Sequence, residues 1–217
     1  MDRLQFQTAS IDLGAAWSNI SFVGTGEFTP NGKTDFLVSN TVDHHLYDWW
    51  IDPTSGTLQG LDLGAAWNNV GYIASGKFTA NGGGNDNLLV SNQSDHHLYD
   101  WWIDPTSHTL QGIDLGAAWN NVEFLASGHF DNHTTNEQIL VRNTVDSHLY
   151  EWWIDPTSHA LTRIDLGAHP GIEFIDSRHF NNANGTNDEL LVHNTADGHL
   201  YEWWIANNQL SGADLIV

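Results

Sequence analysis

The sequence Asp43-His44-His45-Leu46-Tyr47-Asp48-Trp49-Trp50-Ile51-Asp52-Pro53 decides the fold, because it recurs three more times along the chain. The second copy, at 95–105, is almost identical, and the copies at 146–156 and 197–205 keep the order His-Leu-Tyr-acid-Trp-Trp-Ile. A sequence that repeats at a fixed period is typical of an architecture built from stacked units. We therefore expect four copies of one small structural unit.

The tripeptide Asp-Leu-Gly sets the period, since its successive copies at Asp12, Asp62, Asp114 and Asp165 are 50, 52 and 51 residues apart. Within the first unit, apolar and aromatic runs predict strands at 20–28, 35–39, 46–51 and 57–63. Turn-forming sequences rich in Pro, Asn, Asp and Gly separate these runs, and no segment has a helical period. Four short antiparallel strands per unit are typical of a β-propeller blade.

We therefore predict an all-β chain that forms one four-bladed β-propeller domain over residues 1–217, with four strands in each repeat of about 50 residues. The predicted blades span approximately 15–63, 65–115, 117–166 and 168–217. Residues 1–14 resemble the last strand of a unit, but residues 210–217 already supply that strand for the fourth blade. Residues 1–14 are thus a surplus N-terminal strand, which could cover a sheet edge or pair with a second copy in a homo-oligomer.

Composition narrows the classes of partner. The 217 residues include 6 Lys+Arg and 27 Asp+Glu, for a net charge of −21. Such a chain repels phosphate groups, so we expect neither nucleic acid binding nor membrane insertion. The absence of cysteine excludes disulfides and thiol chemistry, and no cleavable signal peptide or membrane-spanning apolar run is visible.

The run Gly26-Glu27-Phe28-Thr29-Pro30-Asn31-Gly32-Lys33-Thr34-Asp35-Phe36-Leu37-Val38-Ser39-Asn40-Thr41 resembles the FG-GAP/VCBS repeats of β-propellers. The resemblance returns once in every unit and implies a propeller, often of a secreted or surface bacterial protein. It also implies a Ca²⁺ loop with alternating oxygen ligands, here Glu27, Thr29, Asn31 and Asp35. Lys77, His129 and His179 replace Glu27 in the later units, so most of these calcium loops are degenerate.

We therefore expect no required cofactor, with Ca²⁺ at Glu27, Asn31 and Asp35 of the first repeat as the one metal prediction. The C-terminal residues 213–217 resemble the acidic and then apolar tails of bacterial type I secretion substrates, although they also match a fourth strand. We expect a secreted or cell-surface protein, with a cytoplasmic location left open.

In the predicted ring, each loop between the second and third strands shares a face with the connectors between blades. Loop Asn, Asp and His side chains then lie near a connector Trp. Sugar sites use this combination, because an aromatic ring packs on the sugar's C–H face while polar groups bond its hydroxyls. The candidate ligand-binding residues are Trp17, Asn40, Asp43, His45, Trp67, Asn92, Asp95, His97, Trp119, Asn143, Asp146, His148, Asp197 and His199.

Other interpretations of these residues stay open. The connector Trp could fill the seams between blades, and the loop Asn and Asp could close their own turns. A second hypothesis is a metal ring formed by His45, His97, His148 and His199. The Trp-Trp pairs are expected to pack in the core, whereas we expect the acidic residues before them near the rim, namely Asp48, Asp100, Glu151 and Glu202.

The function that we predict is non-catalytic, multivalent carbohydrate binding by a lectin-like propeller, with glycans or a protein surface as partners. No His-Glu-x-x-His or Gly-x-Ser-x-Gly motif occurs, and catalysis usually needs one asymmetric arrangement, so we do not expect an enzyme. The alternative function is a structural or protein-interaction propeller module of a larger secreted bacterial protein.

Overall fold

A computed structural model describes residues 12–14, 17–181 and 185–215. This part of the chain contains sixteen β-strands in four antiparallel sheets of four strands, and no helix. The all-β prediction with four strands per repeat is therefore confirmed. Residues 1–11 of the predicted surplus strand lie outside the described residues. The described ranges contain no helix that is long and apolar enough to span a membrane.

Each sheet is formed by consecutive strands of one repeat, in the order in which they occur in the chain. Sheet one contains β1 (Ile20–Gly26), β2 (Asp35–Asn40), β3 (Leu46–Ile51) and β4 (Leu58–Asp62). Sheet two contains β5 (Val70–Gly76), β6 (Asn87–Asn92), β7 (Leu98–Ile103) and β8 (Leu110–Asp114). Sheet three contains β9 (Val122–Gly128), β10 (Gln138–Asn143), β11 (His148–Ile154) and β12 (Leu161–Ala168). Sheet four contains β13 (Ile172–Arg178), β14 (Glu189–Asn194), β15 (Leu200–Ala206) and β16 (Gln209–Asp214).

The turn between the third and fourth strands shows why the repeats fold alike. In sheet one the Asp52 Oδ1 atom accepts hydrogen bonds from the amides of Thr54 at 2.9 Å and Ser55 at 2.7 Å. An aspartate that bonds the backbone two and three residues ahead closes a tight turn. The next residue, Gly56, has a φ of 67°, a conformation that glycine adopts without steric cost. The predicted strand boundaries of this unit agree with the observed ones to within two residues.

The four sheets stack in chain order around their first strands, because β1 contacts β5, β5 contacts β9, and β9 contacts β13. Hydrogen bonds between units reinforce each contact. The amide of Asp86 donates to the Glu27 carbonyl at 2.8 Å, and the Asp86 carboxylate accepts from the Glu27 amide at 2.8 Å. Asp188 repeats both bonds with His129. The ends of the first strands of sheets one, two and three are therefore each tied to the unit that follows.

Three apolar clusters fill the spaces between successive sheets. Adjacent residues of a strand face opposite ways, so the second strand of each inner sheet contributes to the clusters on both sides. In β6, for example, Leu88 and Val90 pack towards sheet one, whereas Leu89 packs towards sheet three. This two-sided burial explains the continuous apolar runs in the second strands.

The outer faces of sheets one and four are more exposed to solvent than the equivalent faces that pack against a neighbouring sheet. Phe180 on sheet four is 39% exposed, whereas its equivalents Phe28, Phe78 and Phe130 are 2% exposed or less. On the outer face of sheet one, Trp17 is 58% exposed. The exposure arises because these two faces have a neighbouring sheet on one side only.

The connector Trp residues report on this difference in packing. Trp67 is half-buried against the cluster between sheets one and two, and its ring meets Trp101 edge-on at 6.3 Å between centroids. Trp119 packs in the same way against the next cluster and Trp152. Trp17 also meets a β-strand Trp, Trp49, edge-on at 6.3 Å, but remains mostly in solvent.

Replacing these residues by alanine should separate the two environments. Trp67→Ala should lower the free energy of unfolding by roughly 2–4 kcal/mol, because it removes a ring that covers an inter-sheet cluster. In the open stack, Trp17→Ala should cost less than about 1.5 kcal/mol, because most of that ring is in water. Urea denaturation of both variants measures the difference, and equal losses would show that another sheet covers Trp17 in solution.

Candidate functional site

The loops between second and third strands lie at the same edge of the stack as the connectors between units. In the first unit, the Thr41 amide donates to the Asn19 carbonyl at 2.8 Å, and the Trp67 amide donates to the His44 carbonyl at 2.9 Å. The loop at 40–45 therefore sits between the connector that precedes its sheet and the connector that follows it. The later loops are held by equivalent bonds from Trp119 and His169.

The predicted Asn and Asp ligands stabilise these loops. The Asn40 Oδ1 atom accepts from the Val42 amide at 2.9 Å, and the Asp43 Oδ1 atom accepts from the His45 amide at 3.1 Å. Each later loop contains the same two bonds, made by Asn92 and Asp95, Asn143 and Asp146, and Asn194 and Asp197. They close the loop around a residue with positive φ, which is His44 in the first unit. The interpretation that Asn and Asp close their own turns therefore describes their observed contacts.

Each predicted histidine forms a pair with an aspartate of its own unit. The His45 Nδ1 atom lies 2.9 Å from Asp62. The other pairs are His97 with Asp114, His148 with Asp165, and His199 with Asp214, at 2.8–2.9 Å. Our sequence reasoning missed these aspartates, although the first three always follow their histidine by seventeen residues.

The pairing determines which nitrogen of each imidazole ring carries a proton. A carboxylate can only accept hydrogen bonds, so the Nδ1 atom must carry a proton and the Nε2 atom remains for another partner. The hydrogen bond that His148 donates to Asp165 raises the pKa of His148, and the bond that His199 donates to Asp214 raises the pKa of His199. The hydrogen bond from the Gly116 amide, and then the bond from His97, lower the pKa of Asp114.

Aromatic rings extend each pair along the third strand. The ring centroids of His45 and Tyr47 are 6.1 Å apart, and those of Tyr47 and Trp49 are 6.2 Å apart. A histidine next to a tyrosine recurs in every sheet at 6.1–6.3 Å. In the fourth unit His169 replaces the connector Trp and lies 5.0 Å from the Trp203 ring. The edge of the stack thus presents the same polar and aromatic arrangement four times.

The predicted first-loop calcium ligands are only partly brought together. The buried Asp35 carboxylate accepts from the Thr29 amide at 3.1 Å, the Thr29 hydroxyl at 3.0 Å and the Asn31 side chain at 2.7 Å. Glu27 instead pairs through its backbone with Asp86 of the next unit. Burial, and then the charge of Asp35, raise the pKa of the neighbouring carboxyl group of Asp48.

The expectation that the acidic residues before the Trp pairs lie near the rim is wrong. Asp48, Asp100 and Glu151 are 0% exposed, and Glu202 is 6% exposed. They share a strand face with core leucines such as Leu46, so the alternation of the strand carries them under the loop between the first two strands. Because burial disfavours the charged form, it raises the pKa of Asp48 to about 8, of Asp100 to about 7 and of Glu151 to about 9.

These buried carboxyl groups differ in their partners. Asp100 accepts from the Thr79 hydroxyl at 2.9 Å and from the Asn87 side chain at 3.3 Å. Glu202 accepts from the Asn181 side chain. The oxygens of Asp48 and Glu151 have no hydrogen-bond donor among the described residues. The Oδ1 atom of Asp100 also lacks a donor, so this position is hydrogen-bonded through one oxygen in the second unit and has no donor in the first and third.

Among the described residues, three His, Asp or Glu side chains come close enough to share a metal ion at one place. These side chains are Asp131, His133 and Glu151. His45, His97, His148 and His199 are not brought together as a ligand group there, and each pairs with an aspartate of its own unit. The hypothesis of a ring of four metal-binding histidines therefore has no support in the geometry.

A comparison with protein-family models and with curated proteins found no match to this chain. The likeness to FG-GAP/VCBS repeats therefore stays a prediction, since repeated four-stranded sheets alone do not identify that family.

The pH dependence of stability tests the buried carboxyl groups through Asp100→Asn. The pKa of Asp100 in the folded protein, about 7, exceeds its ordinary value of 3.8, so the folded state binds the proton more tightly. The free energy of unfolding should fall as the pH rises from about 4 to about 7, by a few kcal/mol at most, since one pKa unit corresponds to about 1.4 kcal/mol. In Asp100→Asn, urea denaturation across this range should show a smaller fall in the free energy of unfolding than in the wild type, because the part due to Asp100 is absent.

Asp104→Asn provides a control with the opposite sign. Hydrogen bonds from the Ser107 and Thr106 amides lower the pKa of this exposed turn carboxylate, so its contribution is present at neutral pH and lost on acidification. Asp104→Asn should therefore lower the free energy of unfolding at neutral pH, and this difference from the wild type should disappear on acidification. An unchanged slope between about pH 4 and about pH 7 in Asp100→Asn would show that Asp100 is not a buried acid.

Proposed function

We propose that this chain is a lectin-like, four-bladed β-propeller that binds carbohydrate at several equivalent sites and catalyses no reaction. The observation that carries the proposal is the paired His and Asp beside a Tyr, which recurs in every unit at one edge of the stack. Repeated weak sites on one rigid surface suit a multivalent glycan, because linked binding events raise the overall affinity.

The chemistry of this edge suits neutral hydroxyl groups. The side chains of His45 and Asp62 are 32% and 51% exposed, and the corresponding pairs of the next two units have nearly the same exposure. The Nε2 atom and the carboxylate can bond neighbouring hydroxyls, while the adjacent Tyr offers a ring for the C–H face of a sugar. Burial, and then the charge of Asp62, raise the pKa of Tyr47, so its hydroxyl remains neutral.

The candidate residues acquire different roles in this proposal. His45, His97, His148 and His199 become the binding residues, together with Asp62, Asp114, Asp165 and Asp214. The loop Asn and Asp hold the loops in shape. Among the connector Trp residues, Trp67 and Trp119 mainly pack between sheets, and closure of the ring would cover Trp17 in the same way.

The alternative function, a structural or protein-interaction propeller of a larger secreted protein, has one observation in its favour. Val42 is 70% exposed and Val145 is 74% exposed, both in loops at the edge that carries the His–Asp pairs. Exposed apolar side chains on loops suit contact with a protein surface. Secretion, Ca²⁺ at the first loop and oligomerisation through residues 1–14 remain predictions.

Closure of the stack into a ring is part of the proposal. The uncovered face of sheet four carries Phe180, and the uncovered face of sheet one carries Phe36, Trp49 and Leu58 around a cavity of about 240 Å³. The equivalent faces pack against each other at the three inner junctions. A fourth junction of the same kind would cover both apolar faces and complete a four-bladed propeller.

Glycan binding should depend on the His–Asp pairs. We expect the wild-type chain to bind on a glycan array, and the quadruple variant with His45→Asn, His97→Asn, His148→Asn and His199→Asn to lose at least about tenfold in avidity, since all equivalent sites are removed together. Calorimetry with the free sugar should show fewer sites in each single variant.

His108→Asn supplies the matched control, because it makes the same substitution at an exposed histidine in a turn at the opposite end of the strands. Its binding should equal that of the wild type. If the folded wild type binds no glycan above background, the carbohydrate proposal is wrong, and capture of a protein partner through Val42 and Val145 becomes the function to test.

Ring closure predicts that Phe180 and Phe130 are equivalent in solution. Phe180→Leu and Phe130→Leu should then each lower the free energy of unfolding by about 1–1.5 kcal/mol, since both side chains would fill the same kind of junction. Urea denaturation of the two variants compares them directly. A cost at Phe180 below roughly a third of the cost at Phe130 would indicate an open stack.

A further inference from the structure

The third unit contains a group of side chains that no other unit repeats. Asp131 and His133 come from the loop between β9 and β10, and Glu151 comes from β11. One ligand atom of each lies within 4.8 Å of the others. The side chains of Asp131 and His133 are 10% and 31% exposed, and Glu151 is fully buried.

Glu151 gives a second, independent indication of a missing partner. Both of its oxygens lack a hydrogen-bond donor among the described residues, although the side chain is completely excluded from solvent. Burial and the neighbouring acidic group of Asp131 together raise the pKa of Glu151, so holding its ionised carboxylate in this position is costly. A positive ion between Glu151 and its neighbours would remove that cost.

Comparison with the second unit shows how this arrangement arose. There, the Thr79 hydroxyl donates to the buried Asp100 at 2.9 Å. In the third unit the residue one position after the core phenylalanine is Asp131, so an acceptor replaces the donor. Two carboxyl groups then face each other, and neither can donate unless it holds a proton. The substitution replaces the hydrogen-bond donor of the second unit by a second acidic group.

Neighbouring side chains hold the two loop ligands in place. The Gln138 side chain donates to the Asp131 Oδ1 atom at 2.6 Å. The other carboxylate oxygen, Oδ2, pairs with the Nδ1 atom of His133. The His133 ring stacks on Trp153 with centroids 4.7 Å apart and an angle of 19° between planes. Such support from hydrogen bonds and packing is typical of residues that orient metal ligands.

The group borders a cavity of about 420 Å³ between the third and fourth units. Asp131 and His133 lie on its wall, and four asparagines line much of the rest, namely Asn132, Asn187, Asn207 and Asn208. A cavity of this size admits water and a small polar ligand. Three protein ligands beside an open space correspond to a metal site with an exchangeable position.

We propose that Asp131, His133 and Glu151 bind one divalent transition-metal ion, whose open position faces the asparagine-lined cavity. One imidazole nitrogen and two carboxylates suit Zn²⁺ and similar ions. Ca²⁺ takes six to eight oxygen ligands, which three residues including a histidine do not supply. The site is separate from the His–Asp pairs of the carbohydrate proposal, so either assignment can fail without the other.

Isothermal titration calorimetry of the full chain with Zn²⁺, after treatment with a chelator, tests the proposal. We expect one Zn²⁺ per chain at high affinity and a rise in melting temperature on binding, because the ion binds the folded state. His133→Asn should weaken binding at least about tenfold, since it removes a ligand and introduces the residue found at this position in the first two units. Glu151→Gln should weaken binding similarly.

His159→Asn is the matched control, since it makes the same change at another partly exposed histidine of the same unit. It should bind Zn²⁺ as the wild type does. If the wild type binds no Zn²⁺, or if His133→Asn binds as tightly as the wild type, the proposal is wrong. Should Glu151→Gln fail to fold by circular dichroism, the surface loop variant His133→Asn alone decides the outcome.

Discussion

Each sheet of this protein has two apolar faces, and the need to cover both of them governs the rest of the structure. Leu88 and Leu89 of β6 are neighbours in sequence, yet they pack into different clusters on opposite sides of the sheet. A single repeat has no second layer for either face, so it gains little from folding alone. Stacking in chain order buries both faces of the inner sheets and leaves the outer faces of the first and last more exposed.

The short-range bonds of the turns and loops make this stacking reproducible. Asp52 closes its turn, and Asn40 and Asp43 close the loop at the other end of the strands. Because these bonds join residues two or three positions apart, each repeat can form them before it meets its neighbours. They leave the exposed edge free to carry chemistry, and the His–Asp pairs occupy that edge in all four units.

Repetition also makes divergence visible. The strands, their order and their boundaries could be predicted because the alternation and the turn signals recur in every copy. The pairing of His45 with Asp62 could not be predicted. These residues lie on the two strands at the open end of a hairpin, and whether they meet depends on the register of those strands. The burial of Asp48 and Glu151 was missed because an acidic residue before two Trp suggests solvent, whereas the strand face places it beside core leucines.

The amino-acid sequence by itself determined the number of units, the four strands of each and the turns between them, because these follow from local residue preferences and from periodicity. The tertiary structure alone decided which side chains meet: the aspartate partner of each histidine, the burial of the acidic residues, and the convergence of Asp131, His133 and Glu151. The reason is physical. Contacts across strands and loops depend on strand register and on burial by neighbouring sheets, and neither follows from local residue preferences or periodicity.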